Sequence, residues 1–376
     1  MNINEKLDDL GKQYDKTADF IDETEKYIEE CIISPKGVKG REKAFSYVET
    51  SIKKLKSLEK SILEIADYER SDVEDKELRQ IHRMATNLTR QIKELKKKVK
   101  EIRSFKVLGY VNLKGGIGKT SITYTTSTYL AKHKDKKILI IDLDHQGNTS
   151  NAFDPPPTDS FEYEFDYDYK IDRTNTKRLF EYGLEASELI DNTSFNNIDV
   201  IGGGYTLTET EIALTRKTGR EFILRNWIND NVEYLNKNYD YIFLDFSPNF
   251  NLLNINGFMV VHSIILISAP DRFSLESIRQ FQKLYTMIIK DLINRKKKFA
   301  FLINRADRTT NKSKNFIEFM RNHPEYKDVL LNQVIHEAAE LQYALEDTRV
   351  ISEKKNKGLF NEYKTHIENL EERGIL

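Results

Sequence analysis

Seven consecutive residues, Lys114-Gly115-Gly116-Ile117-Gly118-Lys119-Thr120, follow the apolar run Val107-Leu108-Gly109-Tyr110-Val111 and precede a helix-compatible stretch from Ser121. Three glycines in such a loop let backbone N–H groups converge on an anion, and the helix behind them adds the positive end of its dipole. The loop closes with a lysine and a hydroxyl, the groups that phosphoryl chemistry on a nucleoside triphosphate requires. Lys119 would hold the β- and γ-phosphates and Thr120 would ligate Mg²⁺. The loop departs from the strict pattern in two places: Leu113 stands where glycine is expected, and Lys114 is an additional lysine.

Two further apolar runs end in carboxylates. Lys137-Ile138-Leu139-Ile140-Ile141-Asp142 continues into Leu143-Asp144-His145-Gln146-Gly147-Asn148. Alternation along an extended chain puts Asp142 and Asp144 on the same side, so one can work beside a metal while the other orients water. Tyr241-Ile242-Phe243-Leu244-Asp245 runs into Phe246-Ser247-Pro248 and has the form of an acidic residue that holds Mg²⁺, usually through its water. Alone, an aspartate after an apolar strand is often a loop cap; beside a phosphate loop the metal reading gains.

These groups need a frame that brings strand ends together. From Phe105 onward, strand-like runs at 107–112, 137–142, 198–202, 240–246, 263–268 and 298–304 alternate with helix-like stretches at 120–133, 219–236, 273–294, 311–322 and 338–346. The pattern predicts an α/β domain, a mostly parallel sheet buried on both faces by flanking helices. Ligands of such sheets sit at the carboxyl ends of the strands, where the residues above fall.

Before residue 104 the character differs. Leu78, Ile81, Ala85, Leu88, Ile92, Leu95, Val99 and Ile102 step by three and four; Phe45, Val48, Ile52, Leu55, Leu58, Ile62 and Ile65 form a second such run, and Leu7, Leu10, Tyr14, Ile21 and Ile28 a third. Three long helices follow, the first broken at Ser34-Pro35-Lys36-Gly37 and the third opened by Ser71-Asp72. The domain division is therefore 1–104, all-α, and 105–376, α/β. The helical stripes read either as a bundle packed on itself or as a coiled-coil dimer seam, and nothing there alternates like the strands of a winged DNA-binding domain.

Composition sets outer bounds. At 376 residues the chain is long for one domain, and its 32% charged residues nearly cancel to a net charge of −1, so no global field steers it to nucleic acid or membrane. The single cysteine, Cys31, excludes an intramolecular disulfide framework and a cysteine cluster for zinc. The N-terminus lacks the order of a secretory signal, and the longest apolar stretch, Gly257 to Ala269, is interrupted by His262 and falls short of the ~20 residues of a spanning helix. The expectation is a soluble, cytoplasmic protein.

The loop, the Asp142–Asn148 run and Asp245 with Ser247-Pro248 resemble the three ATP-site motifs of the ParA/MinD group of deviant Walker ATPases, most closely ParA. Further similarity lies in Ile198-Asp199-Val200-Ile201-Gly202-Gly203, Asn254, Ser268-Ala269-Pro270 and Phe273-Ser274-Leu275, and it covers roughly residues 105–350. The resemblance implies a P-loop NTPase fold and an ATPase using ATP and Mg²⁺. Lys114 matches the signature lysine that reaches across an ATP-sandwich homodimer to the partner's phosphates. Lys119 and Thr120 match the phosphate and magnesium residues, Asp144 the aspartate that positions water, Asp142 its neighbour near the metal, and Asp245 the Walker B aspartate. Gly115, Gly116, Ile117, Gly118 and Ser121 complete the nucleotide loop. Asn304 in Ile303-Asn304-Arg305 sits where related proteins place an adenine-reading asparagine, although an asparagine after a strand also serves as a turn residue. The implied partners are nonspecific DNA and a ParB-like adaptor that stimulates hydrolysis, giving DNA segregation on the nucleoid; no membrane is implied.

The chain departs from that family in several places. Where members carry a basic residue after a late strand it reads Val334-Ile335-His336-Glu337. Other basic runs are Arg295-Lys296-Lys297-Lys298, Arg305 to Lys314 and Lys96-Lys97-Lys98-Lys100-Arg103, each of which also reads as solvated charge. An insert, Asp154-Pro155-Pro156-Pro157 with alternating aromatic and acidic residues from Phe161 to Tyr169, reads as a mobile loop. The C-terminal run from Asn361 to Arg373 holds more acids than bases, against a membrane-binding helix.

Overall fold

A computed structural model describes residues 3–33, 37–66, 72–100, 102–153, 175–289, 292, 297–341 and 350–376. The chain divides into two compact units, Met1–Ser104 and Phe105–Leu376. The 154–172 insert, Ser34-Pro35-Lys36, Ser71 and the first half of the basic run, Arg295-Lys296, lie outside the described residues.

The first unit is three long helices, α1 (Ile3–Ile33), α2 (Gly37–Ala66) and α3 (Asp72–Lys100). One hydrophobic cluster draws on all three. Leu7, Leu10, Ile21 and Ile28 meet Val48, Leu55, Leu58, Ile62 and Ile65, together with the α3 stripe from Leu78 to Val99. The three- and four-residue spacing is thereby spent on an intramolecular bundle, and Leu63 is the one strongly exposed large apolar residue among those described in this unit.

The second unit begins with β1 (Lys106–Val111), α4 (Lys119–Lys134), β2 (Ile138–Asp142) and α5 (Asn148–Phe153). It continues through α6 (Asn175–Tyr182), α7 (Ala186–Leu189), β3 (Asp191–Asn192), β4 (Ile198–Ile201) and α8 (Leu207–Leu214). Then come α9 (Ile223–Asp230), α10 (Val232–Asn238), β5 (Tyr241–Asp245), α11 (Leu252–Val260), β6 (Ser263–Ser268) and α12 (Arg272–Leu284). The last elements are β7 (Lys298–Ala306), α13 (Asn311–Asn322), β8 (Leu330–His336) and α14 (Lys357–Glu372).

The eight strands form one sheet in the order β3-β4-β2-β5-β1-β6-β7-β8. All neighbours pair parallel except the two-residue β3, which is antiparallel to β4. Alternate residues feed two separate cores: Val107, Leu139, Ile141, Ile242 and Leu244 on one face, Leu108, Tyr110, Ile140, Phe243 and Ile265 on the other. That is the sheet buried on both sides that the apolar runs predicted.

Four differences from the sequence reading have local causes. The 219–236 helix is two helices, α9 and α10, because Asn231 turns the chain: its Nδ2 donates to the Trp227 carbonyl and its Oδ1 accepts from the Ala186 N–H. α11 runs into the longest apolar stretch, sharing Gly257 to Val260 with it, and is buried from Leu253 to Val260, so it shows no exposed polar face to betray a helical period. α12 runs on through a π-turn at Tyr285–Ile289, and residues 290–291 and 293–294 of the expected 273–294 helix lie outside the description. β8 was not predicted; Asn332 and Gln333 interrupt its apolar run, and it is an edge strand. Its free edge is covered by α14: the Gln333 N–H donates to Asn369, the His336 N–H to Glu362, and Arg373 donates to the Leu330 carbonyl.

The central strand tolerates no side chain at Gly109. A Cβ there would lie 2.5 Å from Cε2 of Phe246 and 2.7 Å from the carbonyl oxygen of Leu244. Gly109→Ala should therefore destabilise the α/β unit by about 1–3 kcal/mol or more, read as a lowered denaturant midpoint at unchanged slope; an unchanged midpoint would contradict this packing.

Candidate active site

Strand β1 delivers the phosphate loop. Asn112, buried at its end, accepts the Lys114 N–H through Oδ1 at 2.8 Å and donates through Nδ2 to the carbonyls of Ile267 and Ser274, at 2.8 and 3.1 Å. This ties the loop entrance to β6 and α12. Gly116 and Gly118 then take φ values of 72° and 90°, left-handed geometry that glycine adopts without strain, and α4 begins at Lys119. Gly115 has open space around the position of a Cβ, and Ser121 sits half-buried in the first turn of α4.

Asn304, at the end of β7, lies under the loop and is 1% exposed. Its Nδ2 donates to the Ile117 carbonyl at 2.7 Å, and a Cβ on Gly118 would meet that same nitrogen at 2.6 Å. Its Oδ1 is buried without a partner. The residue expected at the adenine thus also braces the loop. Its neighbour Arg305, one of three non-glycine residues at positive φ among those described, donates to the Gly116 carbonyl and to Glu337 at the end of β8.

Lys119 is 7% exposed and its Nζ donates to the Lys114 carbonyl at 3.3 Å. Burial lowers its pKa, against the opposing pull of the Asp245 and Asp144 charges. An ammonium that has already shed its water and is confined to the loop is arranged for a polyanionic ligand.

The acidic groups come together because β2, β5 and β1 are neighbours and Asp142 is in register with Asp245. Asp245 is 1% exposed; its Oδ2 accepts from the hydroxyls of Thr120, at 2.9 Å, and Thr149, at 2.5 Å, and its Oδ1 has no partner. Burial pushes its pKa up to about 6, opposed by the two threonines. Asp144 projects from the following turn, its Oδ1 accepting the Gln146 N–H at 3.0 Å, with Nδ1 of His145 at 3.4 Å.

Asp142, expected beside the metal, has both its oxygens engaged by protein donors: Oδ1 by the Asp144 N–H, Oδ2 by the N–H and hydroxyl of Ser150. It is fully buried, and burial together with the Asp245 charge raises its pKa. Asp142 in this way fixes the turn that carries Asp144 and α5. Donors sufficient for a buried carboxylate were already present in Asn148-Thr149-Ser150.

Lys114 points away from its own loop. Its Nζ lies 3.0 Å from both oxygens of Asp271 and 3.2 Å from the Ser274 hydroxyl. Asp271 caps α12 by accepting the Ser274 N–H. Burial alone would raise its pKa, but the Ser274 hydrogen bonds and the Lys114 ammonium more than reverse that and hold it below the ordinary carboxylate value. Asp271 was not singled out from the sequence; the Asp-x-x-Ser spacing of a helix cap was the signal available.

A divalent cation fits this arrangement. The orphaned Oδ1 of Asp245 and the Thr120 hydroxyl are hard oxygen donors beside a loop built for phosphate, the set Mg²⁺ takes while keeping several waters.

A parallel sheet with a glycine-rich phosphate loop after its central strand and a buried aspartate closing the next defines a P-loop NTPase. Residues 105–299 match the AAA domain family model. The chain belongs to this family and is a P-loop ATPase of the ParA/MinD type. It is 26% identical over 263 residues to the cell division protein PomZ of Myxococcus xanthus, covering 69% of this chain and 76% of that one. It is also 26% identical over 213 residues to the chromosome partitioning protein ParA of the same organism, covering 56% and 68%. Among solved structures it resembles an ATP complex of a Cyanothece McdA variant, with a TM-score of 0.58 at 17% identity over 71% of this chain and 96% of that one.

The Asp245 shift gives a signed prediction. A carboxyl whose pKa is raised by folding stabilises the fold while protonated and loses that contribution as pH rises to about 6. Asp245→Asn should raise the nucleotide-free melting temperature at pH 7.5, by up to about 3 kcal/mol in stability, with the gain shrinking toward pH 4.5. Melting curves across that range check it, and a gap independent of pH would count against it.

Proposed function

We propose that the protein is an ATP-dependent partition ATPase that closes into an ATP-sandwich homodimer, binds DNA without sequence preference, and hydrolyses ATP when a ParB-like adaptor stimulates it. The observation that carries this reading is the position of Lys114. A phosphate loop needs one lysine for its own ligand, and Lys119 meets that need. Lys114 is instead held part-exposed on Asp271, free to exchange that carboxylate for the phosphates of a second subunit. Phe273, 72% exposed two residues from Asp271, gives the same face an apolar group suited to burial against a partner.

Within such a dimer the residues divide the work. Backbone N–H groups from Gly115 to Thr120 and the Lys119 ammonium would bind the β- and γ-phosphates, and the free Oδ1 of Asn304 would accept from the adenine amino group. Thr120 and Asp245 would hold Mg²⁺, which supplies charge neutralisation on the transferred phosphoryl group. Asp144, on its braced turn, would orient the attacking water, and the partner's copy of Lys114 would add charge in trans. Because the site is complete only in the dimer, ATP acts as the clamp and hydrolysis as its timer.

The relatives named for partition and for cell division carry this mechanism toward cytoplasmic, nucleoid-associated cargo positioning. No helix among the described residues is long and apolar enough to cross a membrane. A second reading, an ATPase that positions a non-DNA cargo or works as a nucleotide-switched scaffold, is favoured by Glu337. It puts an acid where the family carries a base, and it occupies Arg305.

Lys114→Ala should leave ATP binding intact while abolishing the ATP-dependent dimer and cutting hydrolysis by a factor on the order of 10³, the scale of a charge supplied in trans. Light scattering with ATP and phosphate release read the two effects, and an unchanged hydrolysis rate would refute the trans role. Asp144→Ala should abolish turnover yet preserve the ATP-bound dimer. DNA affinity that rises with ATP over ADP and falls steeply with salt would separate partition from the scaffold reading.

A further inference from the structure

We propose that α3 carries a second DNA-binding face, one that engages duplex DNA without nucleotide. Arg79, Arg83, Thr86, Arg90, Lys93 and Lys97 follow one another in steps of four and three, which places them on a single stripe of the helix. All six are exposed, and the stripe lies opposite the buried Leu78–Val99 seam. At the rise of an α-helix it is about 27 Å long. From Leu78 onward α3 holds eight lysines and arginines against one carboxylate, Glu94.

Neutralisation within the bundle is sparse along this stripe. Arg79 pairs with Asp75 and Lys97 with Glu94, but Arg83, Arg90 and Lys93, with Lys96 beside them, have no ion-pair partner among the described residues. The cation on another side of the helix behaves differently: Lys98 is committed to Glu25 and Glu29 of α1, at 2.7 and 3.1 Å. α1 itself carries ten carboxylates against four lysines. Within the bundle α1 is the acidic helix and α3 the most basic, with α2 between them at seven bases to four acids, so a polyanion is drawn away from α1 and toward α3.

The chemistry of the stripe selects the occupant. Among the described residues of α3 no large apolar side chain is exposed, so it offers neither the apolar centre of a protein interface nor an anchor for a bilayer. It holds no Phe, Tyr or Trp on which single-stranded bases could stack, its one exposed ring being the His82 imidazole. What remains is a row of guanidinium and ammonium groups, with the Asn87 amide as a further donor to phosphate oxygens. That is the composition of a sequence-independent duplex contact. This contact is separate from the ATP-switched DNA binding proposed above and would keep the protein near DNA between cycles.

The test compares the full chain with Arg83→Ala/Arg90→Ala/Lys93→Ala, using a fluorescent random-sequence duplex and no nucleotide. A control, Lys6→Ala/Lys12→Ala/Lys16→Ala, removes equal charge from α1. Wild type and control should bind, and the α3 variant should lose at least tenfold in affinity. Its log–log salt slope should fall by about 2–3, the loss of three phosphate contacts. Absence of nucleotide-free binding, equal affinity and slope in the α3 variant, or wild-type binding to anionic phosphatidylserine vesicles in preference to the duplex would each overturn the inference. If ATP-dependent DNA binding appears without any nucleotide-free binding, this inference fails and the partition reading stands. If nucleotide-free binding is lost in the α3 variant but ATP never adds affinity in wild type, the inference stands and the partition reading fails.

Discussion

The site is organised around one electrostatic constraint: two carboxylates, Asp142 and Asp245, end adjacent parallel strands in register and are both fully enclosed. Buried charge is tolerated only where donors or a cation compensate it. The turn from Asp142 to Ser150 follows from this, since it folds back so that three of its groups donate to Asp142. The same demand places Thr149 and Thr120 on one oxygen of Asp245 and leaves the other buried without a partner. One carboxylate has both oxygens engaged by protein donors, whereas its neighbour keeps one oxygen unengaged.

The loop depends on the sheet in a comparable way. Its entrance is tied through Asn112 to β6 and α12, and its far side is supported by Asn304 from β7. Elements on the β6–β7 side of β1 therefore hold the loop before any ligand arrives. Preorganisation of this kind is what allows charge and position, rather than covalent participation, to account for phosphoryl transfer. Gly118 is required twice over, by its positive φ and by the asparagine amide packed where a side chain would be.

The sequence showed what periodicity and charge can show. Six of the seven parallel strands stood out because a sheet buried on both faces erases alternation and leaves short apolar runs. The bundle stood out because its core repeats by three and four. α11 and β8 escaped for opposite reasons: one is enclosed all round, its Asn254 and Asn256 included, and has no period, the other is an edge strand whose polar residues are matched by α14 only in three dimensions. Within the site, Lys119, Thr120 and Asp245 announced themselves through the chemistry of their neighbours in sequence. The donors around Asp142 did not, because they depend on which of two similar carboxylates the fold surrounds with hydrogen-bonding groups. Asp271 was hidden because its meaning comes from a lysine 157 residues away.

That distant pair also explains how a charged group can be held and still be released. Lys114 and Asp271 remain 35% and 20% exposed in their side chains, and ion pairs at such sites are worth at most about 1 kcal/mol. A buried pair would cost several times that to break and would lock the lysine in place. The Ser274 hydroxyl and N–H satisfy Asp271 independently, so withdrawal of the ammonium leaves the carboxylate capped and α12 intact. Lys114 is therefore kept ordered at little energetic depth, on a face where Phe273 stands exposed. In the proposed dimer, a triphosphate presented by a second subunit would offer more negative charge than one carboxylate and would need to overcome only this shallow pairing. Partial exposure of the pair is the property that makes exchange feasible, and it is set by the position of Asp271 at the start of α12, at the margin of the sheet's carboxyl end.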